Sequence, residues 1–539
     1  MAFDESTEVS PVADLLLRSA ARFPERKALV LPGRAVRYAE LREEAVAVAR
    51  GLVALGVAEG SHVGILANNS VELVAAIFGV ALANCVAVPL HARHKSRELG
   101  YIIADADIAA ILTTAADTSV VDFRASLAAA LPSLAERAAP ARLSEAPLLR
   151  HAVVLAGEAA PGFMARAAFD AAAHSVDPAE IDARRRRARL CDPAILIYTS
   201  GTTANPKGCL LSHEAMTRGP VERAGRRFRS HAHDVTWGGG PLFHIGSLSP
   251  FLGVIGTAGT YCTDVVFEPG RALELIERER ASAAWPWFPA ILQPMLDHPG
   301  FAPERLASLR KMLLIGPEAL VHRVQTLLPD CEVMQACGMT ETAGIFALSG
   351  AGDAPEQRAT NQGKAVPGVE TRIIALDGSG DAAPGEIGEI LVRGYNVMTG
   401  YYRAPDKTAE ALDADRWLHT GDLYAMAADG TLTFHGRAKD MLKVGGENVA
   451  AIEIESYLCS HPSVKLAEVV GRPDPRLDEV PVAFVELRPG HSVAAEELIA
   501  FCTGRIASYK VPRAVVFMTA DDWPMSATKV DKRGLRARL

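Results

Sequence analysis

Aromatic side chains are scarce in this chain: Phe, Tyr and Trp together make up 6% of its 539 residues. That argues against an aromatic-rich binding surface and for helices and sheets packed through Ala and small aliphatic groups. An excess of basic charge is missing as well. The formal net charge is −8, so no global attraction to nucleic acid or anionic lipid is expected. One basic run, Arg184-Arg185-Arg186-Arg187 followed by Arg189, lies in an Ala-rich connecting region and is expected to be a solvated surface stretch rather than an anion site. The eight cysteines (Cys85, Cys191, Cys209, Cys262, Cys331, Cys337, Cys459, Cys502) form no CxxC pair and no cluster with histidine, so a zinc site is not expected. Isolated thiols with apolar neighbours fit a reduced, cytoplasmic protein. The first ten residues are polar and acidic, without the pattern of a secretory signal. Long apolar runs are absent too. The most apolar stretch, residues 73–90, contains Asn84 and Cys85 and suits a buried helix followed by a strand, so no integral membrane association is expected.

What is present is the texture of a large globular enzyme, 49% hydrophobic and 22% charged. A chain this long exceeds one compact core, and about two to four domains or subdomains are expected. Apolar spacing predicts helices over residues 9–21, 38–55 and 71–83, the last capped by Asn69 or Ser70. Strands are predicted at 28–31, 62–66 and 85–89. This alternation signals an α/β sheet covered on both faces. Residues 113–190 are Ala-, Pro- and Arg-rich and yield no assignment. After Arg393 short strands with turn residues predict a small β-rich subdomain (385–393, 432–434). A compact α+β pattern follows, with helices at 452–460 and 494–506 and strands at 465–471 and 480–487. The major boundary falls near Arg437, dividing the chain into 1–436 and 437–539.

The sharpest local signal is Thr199-Ser200-Gly201-Thr202-Thr203-Ala204-Asn205-Pro206-Lys207-Gly208, between predicted strands at 195–198 and 209–211. Hydroxyls, glycines and a lysine on such a loop form a phosphate cradle, with Lys207 as a point charge. It is not a Walker A loop, because GxxxxGK[ST] is absent. Further along stand Gly316-Pro317-Glu318, Cys337-Gly338-Met339-Thr340-Glu341-Thr342, Trp417-Leu418-His419-Thr420-Gly421-Asp422 and Gly436-Arg437. Asp440-Met441-Leu442-Lys443-Val444-Gly445-Gly446-Glu447 and Pro524-Met525-Ser526-Ala527-Thr528-Lys529 complete the series.

In this order the motifs resemble those of the adenylate-forming superfamily: acyl-CoA synthetases, peptide-synthetase adenylation domains and firefly-type luciferases. The similarity covers nearly the whole chain and is nearest to AMP-forming acyl-CoA synthetases. It implies a large N-terminal adenylation domain of α/β subdomains plus a small β-rich subdomain, then a small mobile α+β C-terminal domain. ATP, Mg²⁺ and coenzyme A are the implied cofactor and co-substrates. The implied partner is a small-molecule carboxylic acid, and the implied assembly is a monomer or a homodimer.

Residue by residue, the resemblance assigns Thr199, Ser200, Gly201, Thr202, Thr203 and Lys207 to the phosphates. Gly316, Pro317, Glu318 and Cys337 go to the adenine, Gly338 and Met339 to the second nucleotide motif, and Asp422 and Arg437 to the ribose. Thr340 would contact the α-phosphate, and Glu341 with Thr202 would hold Mg²⁺. Lys529 is the implied catalytic lysine and Asp440 the hinge, while Lys443, Gly445, Gly446 and Glu447 would face coenzyme A. His244 and Ile245, in Pro241-Leu242-Phe243-His244-Ile245-Gly246, border the implied acyl pocket, and Trp287 is a candidate wall.

Departures from the family pattern are Ala204 for a glycine, Cys337 for an aromatic that stacks on adenine, Pro317-Glu318, Thr528 and Ala450-Ala451. The implied reaction is adenylation of a carboxylic acid followed by thioester formation with coenzyme A. The alternatives weighed are an amine or carrier-protein thiol as acceptor, a luciferase-like oxygenase and a non-catalytic binder.

Overall fold

The computed structural model describes residues 9–115, 121–135, 143–199, 206–444, 447–526 and 529–539. Two large sheets carry the first part of the chain. One runs in the order Gly400–Tyr401, Lys207–Ser212, Pro193–Thr199, Val86–Pro89, His62–Leu66, Ile108–Thr114, His151–Ala156, Met164–Ala165. From Pro193–Thr199 onward its neighbours are parallel, and the first two pairings are antiparallel. The other runs Glu332–Met334, Lys311–Leu314, Ala283–Trp287, Val235–Gly238, Thr260–Cys262, Lys27–Leu31, Arg34–Arg37, parallel except for its last hairpin. Strands such as His62–Leu66 and Val86–Pro89 are buried along their whole length, as parallel strands covered on both faces must be.

Helices Val71–Leu82 and Ile245–Gly256 lie in the core that joins the two sheets, and Phe78 and Phe251 meet across them with ring centroids 6.2 Å apart. Every side chain of Val71–Leu82 except Glu72 is buried, which explains its nearly uniform apolar character. Ser70 caps it, accepting from Leu73 N–H at 3.1 Å. Asn69, the other expected cap, is buried and instead pins a distant segment. Its Oδ1 accepts from Leu242 N–H at 2.8 Å, while its Nδ2 donates to the Gly240 and Asp264 carbonyls and to Thr263 Oγ1.

Residues 113–190, which gave no assignment, contain the strand His151–Ala156 and helices Arg166–Ala173 and Pro178–Arg187. The arginine run closes Pro178–Arg187, where cations suit the helix C-terminus, and is ion-paired to Asp14, Glu59, Glu180 and Asp182.

A four-stranded antiparallel sheet (Val369–Ala375, Ile387–Gly394, Leu418–Met426, Leu432–Arg437) forms the β-rich part. The chain then crosses a 3-10 turn, Ala438–Asp440, into a separate sheet of Glu447–Ala450, Met441–Val444, Asp478–Leu487, Val464–Asp474 and Ala514–Met518. The molecule is a mixed α/β protein with a large N-terminal and a small C-terminal domain. The predicted helix over 494–506 is shorter, Ala495–Cys502, because Gly504 sits at φ +73° and turns the chain out of the helix.

Candidate active site

Ligand crevices in parallel sheets open at the carboxyl ends of the strands. Here Val235–Gly238, Ala283–Trp287, Lys311–Leu314 and Glu332–Met334 all end on one side, and the segments that follow them hold His244, Trp287, Gly316 and Cys337-Gly338.

His244 caps Ile245–Gly256 through its side chain: Nδ1 accepts from Gly246 N–H at 3.1 Å. With Nδ1 accepting, the neutral ring carries its proton on Nε2. Trp287 holds a backbone conformation that bulky residues avoid, φ +65°. A three-residue turn closed by Phe288 N–H to the Pro286 carbonyl (2.8 Å) imposes it, and Ile315 N–H donates to the Trp287 carbonyl at 2.6 Å. Such a conformation costs about 1–3 kcal/mol and persists only where the surroundings enforce it. The result is a narrow cleft lined by Gly240, His244, Gly246, Trp287 and Ile291. A Cβ at Gly246 would lie 3.2 Å from His244 Nδ1, so the glycine leaves the imidazole its position. Ile245 is buried in the core and is not among the side chains lining this cleft.

Thr340, Glu341 and Thr342 form a 3-10 turn between strands Ala336–Met339 and Gly344–Leu348. Met339 N–H donates to Thr342 Oγ1 (3.2 Å), whose hydroxyl donates to the Gly344 carbonyl at 2.6 Å. Gly338 is required by crowding: a Cβ there would stand 2.5 Å from the Gly344 carbonyl oxygen. The Glu341 carboxylate is 8% exposed. Tyr401 donates its hydroxyl to Glu341 Oε1 at 2.9 Å, and Met398 N–H donates to the Glu341 carbonyl. Among the described residues no ion pair reaches Glu341, so its donor set fits a hard divalent cation that also binds phosphate oxygens.

The phosphate-loop residues Ser200, Gly201, Thr202, Thr203 and Ala204 lie outside the described residues. Their flanks are fixed, since Thr199 and Lys207 face each other across antiparallel strands. Lys207 Nζ stands 4.1 Å above the Tyr401 ring centroid.

Asp422 and Arg437 are also cross-strand partners, and Arg437 Nε lies 3.0 Å from Asp422 Oδ1. Cys337 is buried beside Tyr424, and burial pushes both the thiol and the phenol upward. Its side chain belongs to the core. Pro317 precedes the helix Glu318–Leu327, where Glu318 is exposed beside His322. Gly316 N–H donates to Gln335 Oε1 at 3.4 Å.

Gly445, Gly446 and Thr528 lie outside the described residues. Lys443 and Glu447 are placed as backbone in the hairpin Met441–Val444 with Glu447–Ala450. Lys529 opens the two-residue strand Lys529–Val530, paired with Met525–Ser526. Asp440 Oδ1 accepts from Arg536 Nη2 at 3.2 Å.

Three contributors were not assigned to the site from the sequence. Asn69 braces the segment before His244. His91 packs against Phe243 with ring centroids 4.7 Å apart, and burial with the neighbouring His94 and His244 holds it neutral, lowered to about 4. Tyr401 touches two motifs at once. For His91 a signal existed, since it follows Val86–Pro89, the parallel neighbour of Pro193–Thr199.

Residues 16–402 match the AMP-binding enzyme family, and residues 453–529 match the AMP-binding enzyme C-terminal domain. A 3-[(3aS,4S,7aS)-7a-methyl-1,5-dioxo-octahydro-1H-inden-4-yl]propanoyl:CoA ligase of Mycobacterium tuberculosis is 33% identical, the match covering 98% of this chain and 99% of the relative. The human mitochondrial medium-chain acyl-CoA ligase ACSF2 is 30% identical, over 98% of this chain and 87% of the relative. Among solved structures, an anthranilate CoA ligase, AuaEII, in complex with anthranoyl-AMP superposes with a TM-score of 0.84. It is 26% identical, over 100% of this chain and 99% of that one. With the buried Glu341 turn, the Asp422–Arg437 pair and the parallel-strand crevice in the expected order, the chain belongs to the AMP-binding enzyme family and is an AMP-forming ligase.

Proposed function

We propose that the enzyme adenylates a small-molecule carboxylic acid with an apolar body and passes the acyl group to the thiol of coenzyme A. A carboxylate oxygen attacks the α-phosphorus of ATP and pyrophosphate leaves. The thiol then attacks the acyl carbon and AMP leaves. Both steps join reactants that need alignment and charge neutralisation more than covalent help from side chains.

In this reading Lys529 and Thr340 meet the α-phosphate, Lys207 and its loop take the departing pyrophosphate, and Asp422 with Arg437 holds the ribose. Glu341, with Thr202, would hold Mg²⁺, which spreads the charge of the phosphates when bound. Residues 1–436 carry acid and ATP, and residues 437–539 turn about Asp440 to exchange Lys529 for the Lys443 to Glu447 turn in front of coenzyme A. His244 stands at the carboxylate end of the acid cleft, and Trp287 limits its depth.

The observation that carries the reading is the convergence of His244, the strained Trp287 and Gly316 at the carboxyl ends of parallel strands. Relatives are named for a medium-chain acyl group, a bicyclic propanoyl group and anthranilate. The test is pyrophosphate release over a panel of aliphatic, alicyclic and aryl acids, with coenzyme A, with amines and with neither. Sustained release that needs an apolar acid and coenzyme A supports the proposal. Release driven by amines instead assigns an amide-forming acceptor and overturns the coenzyme A step.

A further inference from the structure

Lys207 and Glu341 belong to different motifs, yet both touch one side chain. Tyr401 donates its hydroxyl to Glu341 Oε1 at 2.9 Å, and the Lys207 ammonium sits 4.1 Å above the centre of the same ring. The backbone holds it there. Gly400–Tyr401 pairs with Cys209 and Leu210, Tyr402 N–H donates to the Gly208 carbonyl at 2.7 Å, and Met398 N–H donates to the Glu341 carbonyl at 2.8 Å. Tyr401 N–H is itself taken by Thr408 Oγ1 at 2.9 Å. Tyr401 is 8% exposed, so little water screens what its ring separates.

Opposite charges in such a place attract strongly. In direct contact each would neutralise the other, and neither would serve a ligand. Among the described residues Lys207 and Glu341 form no ion pair. We infer that Tyr401 is a spacer: its ring keeps the Lys207 ammonium off the Glu341 carboxylate, leaving one charge for phosphate and the other for a divalent cation. This rests on the cation-holding reading of Glu341 proposed above.

The chemistry of the ring suits the task. The face of a phenol attracts an ammonium, and its hydroxyl gives the carboxylate a charge-assisted hydrogen bond. Donation to an anion makes the ring more electron-rich, so the two contacts reinforce each other. Tyr401 is thus a positioning residue, acting through Lys207 and Glu341.

The test reads binding, not turnover. With the full-length enzyme and saturating α,β-methylene-ATP, the free Mn²⁺ concentration at half-saturation is measured by electron paramagnetic resonance. Tyr401→Phe keeps the ring and should shift it by less than about threefold, the scale of one weak contact. Tyr401→Leu removes the ring, lets lysine reach glutamate, and should raise it by about tenfold or more, as expected when a direct ion pair competes for the carboxylate.

Adding Lys207→Met to Tyr401→Leu should return the value to that of Lys207→Met alone. The leucine cavity persists in the double variant, so a mere packing defect would not be rescued. A Phe variant as impaired as Leu, or a double variant without recovery, overturns the spacer. Glu341→Gln with an unchanged half-saturation refutes the cation reading itself, and the spacer with it, by a distinct signature.

Discussion

The turn that carries Glu341 and the strand that carries Lys529 are built on different terms. Thr340–Thr342 lies between two paired strands, closed by hydrogen bonds to Thr342 and the Gly344 carbonyl and strapped by residues 396–401. A single added carbon at Gly338 would collide with backbone. Lys529 stands on a ladder of two residues, followed by Asp531, which caps the five-residue helix Lys532–Arg536.

What fixes this second region is a buried charge cluster. Lys532 donates to Glu455 and lies 3.5 Å from Glu468, while Arg536 reaches Asp440. Leu535 adds one fully buried apolar anchor. Short ladders held by a few ion pairs open more readily than turns inside a sheet. In the proposed reaction the first group would stay with the nucleotide while the second would arrive and leave.

The comparison breaks most directly at Lys532. Replacing it by Met strands the Glu455 carboxylate and, at pH 8, Glu468 as well, and the small domain should then lose about 3–5 kcal/mol by denaturant titration, with Glu341-dependent nucleotide binding retained. The loss should shrink as pH falls, because protonation of Glu468 removes the unpaired charge. Equal loss at pH 5 and pH 8 would refute the cluster.

At the reacting centre, Lys529→Ala should lower acid-dependent pyrophosphate release by about 10²–10³-fold, the scale of removing one preorganised charge. Thioester formation from supplied adenylate should suffer far less. Equal loss in both half-reactions would contradict a lysine that withdraws.

Trp287→Ala should deepen the cleft. Preference between a short and a longer acid should shift by about tenfold toward the longer, the scale of one or two methylenes in an apolar pocket. An unchanged acid profile would remove Trp287 from the pocket.

The smallest effect concerns pH. Burial, then the charge of Glu455, pushes the Glu468 carboxyl upward, and Lys532 pulls it back. The folded form therefore keeps a proton that the unfolded chain has already released. Stability from this group is complete below the unfolded value of about 4.3 and is lost as pH rises through the higher folded value. Melting curves from pH 5 to 9 should show the decline, and Glu468→Gln should flatten it.

Much of this was legible beforehand. The helices near residues 9–21, 38–55 and 71–83 emerge within three residues of their expected bounds, because their apolar spacing had no competing pattern. The helix Pro178–Arg187 was missed inside an Ala- and Arg-rich stretch of weak periodicity. Its start was nonetheless written in Asp177-Pro178, where the Asp177 carboxylate accepts from Ala179 N–H at 2.8 Å. Asn69 was given a local capping task, whereas its amide spans four partners that only the packed core brings near.

The sequence by itself determined the chemistry class and the order of its parts. Thr-Ser-Gly-Thr-Thr, Thr340-Glu341, Asp422, Arg437 and Lys529 are local words whose order along the chain carries the family resemblance. Only the tertiary structure decided how those words face one another. Tyr401 reaches Lys207 and Glu341 because its strand pairs beside Lys207 while Met398 N–H ties the preceding segment to the Glu341 carbonyl, and Trp287 is strained because its turn is clamped by Ile315 from the next strand. Neither relation leaves a periodic trace in the chain, since each depends on register between segments far apart in sequence rather than on neighbours along it.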